Sequence, residues 1–174
     1  MKKIIVLALA LVSFTVSKAQ VGEGTNWLKA GIHAGIPVGD MSEVSSFALG
    51  LDLKYQFLNA ESFAIGVSTG FTNYFGKTEG LIEYNDLGVI PVAGLFRFYP
   101  TENFFLGTDV GYAFLTEEVV TTDGSSSGGF YYRPEIGYHN DSWNIFAFYQ
   151  GVVIDGFSPA SVGVGINYNI IQGQ

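Results

Sequence analysis

Residues 47–57 read FALGLDLKYQF, with a large apolar side chain at every odd position. The even positions carry small or polar residues, namely Ala48, Gly50, Asp52, Lys54 and Gln56. Because successive side chains of a strand point to opposite faces, this period of two predicts a β-strand with one apolar and one polar face. The fold of the whole chain then depends on which of these faces points inward.

The alternation of residues 47–57 recurs along the chain. Eight segments carry it in whole or in part: residues 28–38, 47–57, 63–73, 87–99, 104–115, 130–139, 143–151 and 160–170. Strands of about ten residues are long enough to cross a bilayer at a tilt. The connections after odd-numbered segments are long and those after even-numbered segments are tight, as in bacterial outer-membrane barrels. The sequence therefore predicts an all-β, eight-stranded antiparallel up-and-down transmembrane β-barrel over residues 27–170.

The start of the chain has the features of a cleavable signal peptide, residues 1–19. Lys2 and Lys3 precede an apolar run over residues 4–16, and Ser17-Lys18-Ala19 is a small-x-small cleavage site. The apolar run is too short to span a bilayer as a helix. We expect a mature chain with a leader at residues 20–26, a tail at residues 171–174 and, with five basic against sixteen acidic residues, a net charge of −11.

The composition favours an apolar face that meets lipid. Charged residues make up 14% of the chain, against about 25% in ordinary soluble domains. The polar faces carry mostly small residues, which suit the interior of a narrow barrel, whereas a soluble barrel needs charged residues there. A soluble periplasmic lipocalin-like binding barrel, with the aromatic side chains in its core, is the alternative.

Aromatic residues of the apolar faces lie towards the strand ends, as in the two girdles at the surfaces of a bilayer. The expected outer girdle contains Phe47, Phe71, Tyr112, Phe114, Phe130 and Tyr132. The expected periplasmic girdle contains Tyr55, Phe57, Phe63, Phe104, Tyr138, Trp143 and Tyr168.

Together these features resemble the small eight-stranded outer-membrane barrels of the OmpA and OmpX type. Residues 90–92 (IPV), which lead to residues 96–99 (FRFY), are similar to a segment common in such barrels. The resemblance implies a porin-like protein of the Gram-negative cell envelope, located in the outer membrane and monomeric. It also implies outer-membrane lipid, lipopolysaccharide and the barrel-insertion machinery as partners.

Seven charged residues are assigned to the polar faces, Arg97 with the least support: Lys29, Asp52, Lys54, Arg97, Asp109, Arg133 and Glu135. Because an unpaired buried charge is expensive, we expect a network of ion pairs that occludes the lumen, with Arg133 and Glu135 close to Asp109. The alternative is a wet lumen with scattered charges. In that case the protein is a narrow channel or a small-ligand-binding barrel, with a path lined by Lys29, Asp52, Lys54, Asp109 and Arg133.

The sequence does not favour an enzyme. His33 and His139 fall on polar faces, and neither lies near a serine in a recognisable motif, since the serines at 125–127 belong to a Gly/Ser loop. Cysteine is absent from the sequence, and no glycine-rich loop precedes a helix. We expect no catalytic residue, no cofactor and no bound metal, and a structural, adhesive or surface-interaction role.

The expected outer loops are acidic, which disfavours nucleic acid as a partner. Their carboxylates are candidate ligands for divalent cations shared with lipopolysaccharide phosphates, with simple solvation as the alternative because no calcium-loop spacing is present. The candidates are Glu79, Glu83, Asp86, Glu117, Glu118 and Asp123.

Overall fold

The computed structural model describes residues 26–60, 62–80, 82–121, 124–154 and 156–171. The predicted signal peptide lies outside the described residues. The strands are β1 (Trp27–Val38), β2 (Ser45–Asn59), β3 (Phe63–Gly76), β4 (Thr78–Glu79), β5 (Ile82–Glu83), β6 (Leu87–Thr101), β7 (Phe104–Thr121), β8 (Gly124–His139), β9 (Trp143–Val153) and β10 (Ala160–Ile171). A four-residue helix, α1 (Met41–Val44), follows β1. No helix in the described part of the chain has the length and apolar character needed to cross a membrane.

Eight of the strands form a closed barrel in the order β1-β10-β9-β8-β7-β6-β3-β2. All neighbouring barrel strands are antiparallel. The barrel is closed by β1 and β10, whose register runs from Leu28 opposite Ile171 to Val38 opposite Ala160. Closure gives the backbone of every strand two hydrogen-bonding neighbours, which a spanning sheet needs in lipid. The predicted eight-stranded up-and-down barrel is confirmed.

Each predicted segment lies within an observed strand, and the largest difference is at the outer ends of β7 and β8. Residues 116–129 were expected to form a loop, but these two strands continue there as a hairpin in which Val119 pairs with Ser126 and Thr121 with Gly124. The register shifts between Phe114 and Val119. Because the hairpin extends past the paired ends of β6 and β9, neither of its faces needs to be apolar, and its sequence does not alternate.

The apolar faces of the strands lie on the outside of the barrel. In β2, Leu51 is 60% exposed, whereas its neighbour Asp52 is 6% exposed. Strands β6 and β9 have large apolar residues on both faces in sequence, and the structure decides which face lies inside. Arg97 of β6 is buried, as expected. In β9 the buried pair is Phe146 and Phe148, and Trp143 faces outwards. This arrangement is the reverse of a soluble barrel, so the exposed apolar belt requires lipid around it.

At each end of the belt, neighbouring aromatic side chains contact one another. At one end the rings of Phe47 and Phe75 stack with their centroids 4.4 Å apart. At the other end the rings of Trp143 and Tyr168 lie edge to face at 4.8 Å. Aromatic pairs at two levels match the girdles that anchor a barrel at the two surfaces of a bilayer.

A charge on the belt should destabilise the barrel. We predict that Leu51→Arg lowers the free energy of unfolding in lipid vesicles, measured by urea denaturation, by about 2–4 kcal/mol, because the guanidinium would lie near the middle of the bilayer. Ser127→Arg is the matched control, since Ser127 is exposed on the hairpin outside the barrel. Equal stability of Leu51→Arg and the parent would show that this face does not meet lipid.

Candidate functional site

Two ion pairs cross the full width of the lumen. Strands β2 and β8 are four places apart in either direction round the barrel, so their inward side chains face each other. Arg133 of β8 donates hydrogen bonds from both terminal nitrogens to the carboxylate of Asp52 on β2, at 2.7 and 3.2 Å. Two residues further along both strands, the Nζ of Lys54 donates to Oε1 of Glu135. Strands that share no backbone hydrogen bond are thus joined at two successive levels.

Arg97 on β6 and Asp109 on β7 join the level of Lys54 and Glu135, and a contact between Arg133 and Glu135 connects the two levels. The guanidinium of Arg97 donates to Asp109 at 2.8 Å and to Glu135 at 2.7 Å. The Nζ of Lys54 lies 3.6 Å from a carboxylate oxygen of Asp109. The Nε of Arg133 lies 3.1 Å from Oε1 of Glu135. We call this group the lumen network; its three acidic and three basic members are Asp52, Lys54, Arg97, Asp109, Arg133 and Glu135.

Every member of the lumen network is at least 94% buried. Charges removed from water are expensive unless each has a close partner of opposite sign, and here each carboxylate pairs with at least one lysine or arginine side chain. Rings of β9 cover the remaining side of the cations. The guanidinium of Arg133 lies 4.3 Å from the ring centroid of Phe148, and the Nζ of Lys54 lies 4.8 Å from that of Phe146.

Glycines beside the long side chains provide the room that the lumen network needs. Gly107 pairs with Arg97 across β6 and β7. A Cβ atom added at Gly107 would lie 2.3 Å from the Cδ of Arg97. Since that distance is far below a van der Waals contact, any larger residue at Gly107 would displace the guanidinium from Asp109 and Glu135. Gly107 is therefore a space for the charged side chain of the neighbouring strand.

A layer of uncharged hydrogen bonds lies on one side of the lumen network. His33 connects this layer to the lumen network. Its Nδ1 lies 3.1 Å from Oδ2 of Asp52, and its Nε2 lies 3.0 Å from Oγ1 of Thr72. Gln150 donates to the hydroxyls of Thr72 and Tyr74 at 3.4 and 3.2 Å. Sequence patterning does not predict this layer, because its members come from three different strands.

An apolar cluster closes the end of the barrel that carries the long loops. Its members are Met41, Ala48, Tyr74, Leu87, Val89, Ala93, Ala113, Leu115, Tyr131, Val152 and Ile154. Met41 comes from α1 and is 2% exposed, so the first long loop folds over the lumen. By the rule that long loops are extracellular and short turns periplasmic, this is the outer end.

The opposite end of the lumen is an open funnel of about 580 Å³. Its wall includes Trp27, Lys29, Tyr99 and His139. Lys29, the seventh predicted lumen charge, lies here apart from the lumen network, and its Nζ donates to Oδ1 of Asn144 at 3.0 Å. The funnel ends at the lumen network, so it is closed at its inner end.

The structure brings six of the seven predicted lumen charges together. Asp109 and Arg133 are paired in register on neighbouring strands. The closest carboxylate contacts of Arg133 nevertheless cross the lumen to Asp52. Strand order round a barrel decides which side chains face each other, and the alternation within each strand carries no information about it. Sequence reasoning also missed His33, Phe146 and Phe148 as contacts of the lumen network.

Four of the loop carboxylates proposed as cation ligands have described side chains, namely Glu83, Asp86, Glu117 and Glu118. Among the residues that the structure describes, no group of three His, Asp or Glu side chains could hold a metal ion. Asp86 accepts hydrogen bonds from the side-chain amide of Asn73 and the backbone N–H of Gly76, which hold the pKa of Asp86 below its usual value. Asp123 and the side chain of Glu79 lie outside the described residues. A cation-binding role for these loops stays a prediction.

The contacts of His33 have the order of an acid–base–nucleophile chain, Asp52 to His33 to Thr72. Thr72 is 3% exposed. Neither the funnel nor the small cavity at its inner end is lined by Thr72. A hydroxyl that no substrate can approach cannot serve as a nucleophile, so these contacts are part of the packing of the lumen.

Comparisons with known proteins identify the fold. The chain matches no family model and no curated protein. Among solved structures it is similar to the attachment invasion locus protein Ail of Yersinia pestis, with a TM-score of 0.61, 17% identity, and coverage of 86% of this chain and 100% of that one. It is also similar to the N-terminal β-barrel domain of Pseudomonas aeruginosa OprF, with a TM-score of 0.54, 10% identity, and coverage of 84% and 99%. For Neisserial surface protein A the TM-score is 0.53 at 12% identity, with coverage of 86% and 100%.

These likenesses and the apolar belt define the class of protein. The chain has the fold of the small eight-stranded outer-membrane β-barrels. An exposed apolar belt between two aromatic girdles places it in a bilayer, and the bacterial outer membrane is the membrane that holds barrels of this kind.

Glu135 contacts three basic side chains and is the most connected member of the lumen network. We predict that Glu135→Gln lowers the free energy of unfolding by about 3–5 kcal/mol, because it leaves three buried cations with two carboxylates. Urea denaturation in lipid vesicles measures the change. Glu102→Gln, an exposed change on a short turn, should stay within about 0.5 kcal/mol of the parent. A similarly small effect of Glu135→Gln would mean that the ion pairs do not stabilise the barrel.

Proposed function

We propose that this protein is a non-catalytic outer-membrane barrel with an occluded lumen, which acts through the surface formed by its outer loops. The observation that carries this proposal is that two groups of side chains fill the lumen. The lumen network fills its centre, and the apolar cluster fills its outer end. A filled lumen leaves no path for a solute, so the exposed loops are the surface available to partners outside the cell. The role is then structural, adhesive or one of surface contact.

Contacts between the outer loops support this proposal. The backbone N–H of Ser158 donates to Oδ2 of Asp40 at 3.1 Å, which joins the last outer loop to the first. The Nζ of Lys77 donates to the carbonyl of Ser42 at 3.1 Å, which joins the second loop to the first. The hairpin of β7 and β8 extends beyond the barrel at the same end as these loops. Loops held to one another form a surface of defined shape, which favours binding.

The chemistry of the outer surface limits the partners that it could take. Ail is named for attachment and invasion, and one of its structures holds the heparin analogue sucrose octasulfate. In this chain the outer loops carry nine acidic residues and one lysine, Lys77. An acidic surface repels sulfated polymers, so we expect an adhesive partner to be neutral or cationic. Lipid and lipopolysaccharide round the belt, and the barrel-insertion machinery during assembly, complete the proposed partners of a monomeric barrel.

The alternatives are less well supported. A narrow channel lined by Lys29, Asp52, Lys54, Asp109 and Arg133 would need the latter four side chains apart from one another, whereas they pair across the lumen. A soluble lipocalin-like barrel would need its apolar residues inside. Catalysis would need an accessible nucleophile, and the buried Thr72 is not one.

The surface role can be tested by shortening the hairpin of β7 and β8. We predict that bacteria displaying the parent adhere to a surface coated with a cationic polymer more strongly than bacteria whose residues 117–127 are replaced by an Asn-Gly turn, which closes two strands without a longer loop. The loss should exceed about twofold, because Glu117, Glu118 and Asp123 are removed together.

The control for this experiment is a variant in which Glu117 and Glu118 are both changed to Gln, which keeps the hairpin and removes charge. Heat-modifiable migration of each variant on gels reports whether its barrel is folded. Equal adhesion of the parent and the shortened chain, at equal amounts of folded barrel, would contradict a surface role for the hairpin.

A further inference from the structure

The funnel at the periplasmic end has the size of a binding site for a small molecule. Its volume of about 580 Å³ lies within the range of known ligand pockets. Lys29, Gln56 and Tyr99 line both the funnel and a cavity of about 10 Å³ next to the lumen network, so these three residues form its floor. The wall and rim come from the ends of β1, β2, β6 and β8 and from the short turns.

The floor of the funnel contains a buried cation without a carboxylate partner. Lys29 is 6% exposed, and its Nζ donates to the amide oxygen of Asn144 and lies 5.5 Å from the ring centroid of Trp27. Lys54 binds two carboxylates. No carboxylate of the described chain lies within 4.0 Å of the Nζ of Lys29. Since a buried charge is costly without a partner of opposite sign, an anion entering the funnel would gain a strong contact here.

Polar atoms around the floor also lack partners. The Nε2 of His139, in the funnel wall, and the Oδ1 of Asn167, beside the smaller cavity, are buried and have no hydrogen-bond partner in the described part of the chain. Asn167 is 2% exposed. Tyr99 packs its ring against His139, with the centroids 4.7 Å apart. The funnel thus presents a cation and two aromatic rings to whatever enters it, with unpartnered polar atoms buried behind its surface.

The rim of the funnel has the opposite charge from its floor. Glu102 and Asp141, on two of the short turns, line the funnel and are exposed. A molecule with a carboxylate at one end and an ammonium at the other would complement both the cationic floor and the acidic rim. We propose that the funnel binds a short peptide from the periplasm, with its carboxylate on Lys29 and its ammonium beside Glu102 and Asp141. This inference goes beyond the proposed surface function and does not depend on it, because the lumen network separates the two ends of the barrel.

Trp27 lies in the funnel and can report binding by its fluorescence. The chain has two tryptophans, and Trp143 is on the lipid-facing belt, so Trp143→Phe leaves Trp27 as the single reporter. In this background we expect trialanine, added to the folded barrel in detergent micelles, to change the emission saturably. Trialaninamide, which lacks the carboxylate, should bind about tenfold more weakly or worse, and Lys29→Met should weaken trialanine to the same extent.

Two further variants and one further ligand make the test specific. Lys77→Met, on the outer loops, should bind trialanine like the parent, and Lys29→Arg should retain most of the affinity because it retains the charge. N-acetyl-trialanine should bind more weakly than trialanine, and equal binding would overturn the assignment of the ammonium to the rim. Absence of a saturable change up to about 10 mM trialanine, or equal affinity of the Lys29→Met variant at equal folding, would overturn the site itself.

Discussion

The ion pairs between β2 and β8 are the interaction on which the interior of this barrel depends. Asp52 and Lys54 face Arg133 and Glu135 with the order of charges reversed, so that both pairs form at once across the diameter. Six charges in a lipid-embedded lumen are tolerable only when all are paired, and Arg97 and Asp109 complete that balance. The absence of a side chain at Gly107 follows from accommodating Arg97 in this lumen network.

A lumen closed at its centre divides the molecule into two separate surfaces. On the outer side, the apolar cluster and α1 cover the lumen network, and the loops above them are linked through Asp40 and Lys77. On the periplasmic side, the funnel ends at Lys29 and the floor around it. The two surfaces differ in chemistry, since the outer loops are acidic while the funnel carries a cation at its base. One small barrel can therefore present two independent binding surfaces.

Much of the fold could be predicted because lipid imposes a simple rule on every strand. The alternation of residues 47–57 and its repeats predicted the eight strands and the outward apolar faces, and Arg97 was correctly placed inside. The alternation of outward apolar and inward polar side chains does not hold in β9. There the inward side chains of Phe146 and Phe148 are apolar and pack against the cations of the lumen network. The hairpin of β7 and β8 lies outside the barrel, where no rule of alternation applies. Pairing across the lumen depends on strand order and tilt, which no single strand encodes.

Electrical recording shows whether the lumen is closed. The purified barrel inserted in a planar lipid bilayer is predicted to show no steady conductance above that of the bare membrane, because ions would have to displace the pairs of Asp52 with Arg133 and of Lys54 with Glu135. A steady, large conductance from the folded barrel would contradict the account and would favour the channel.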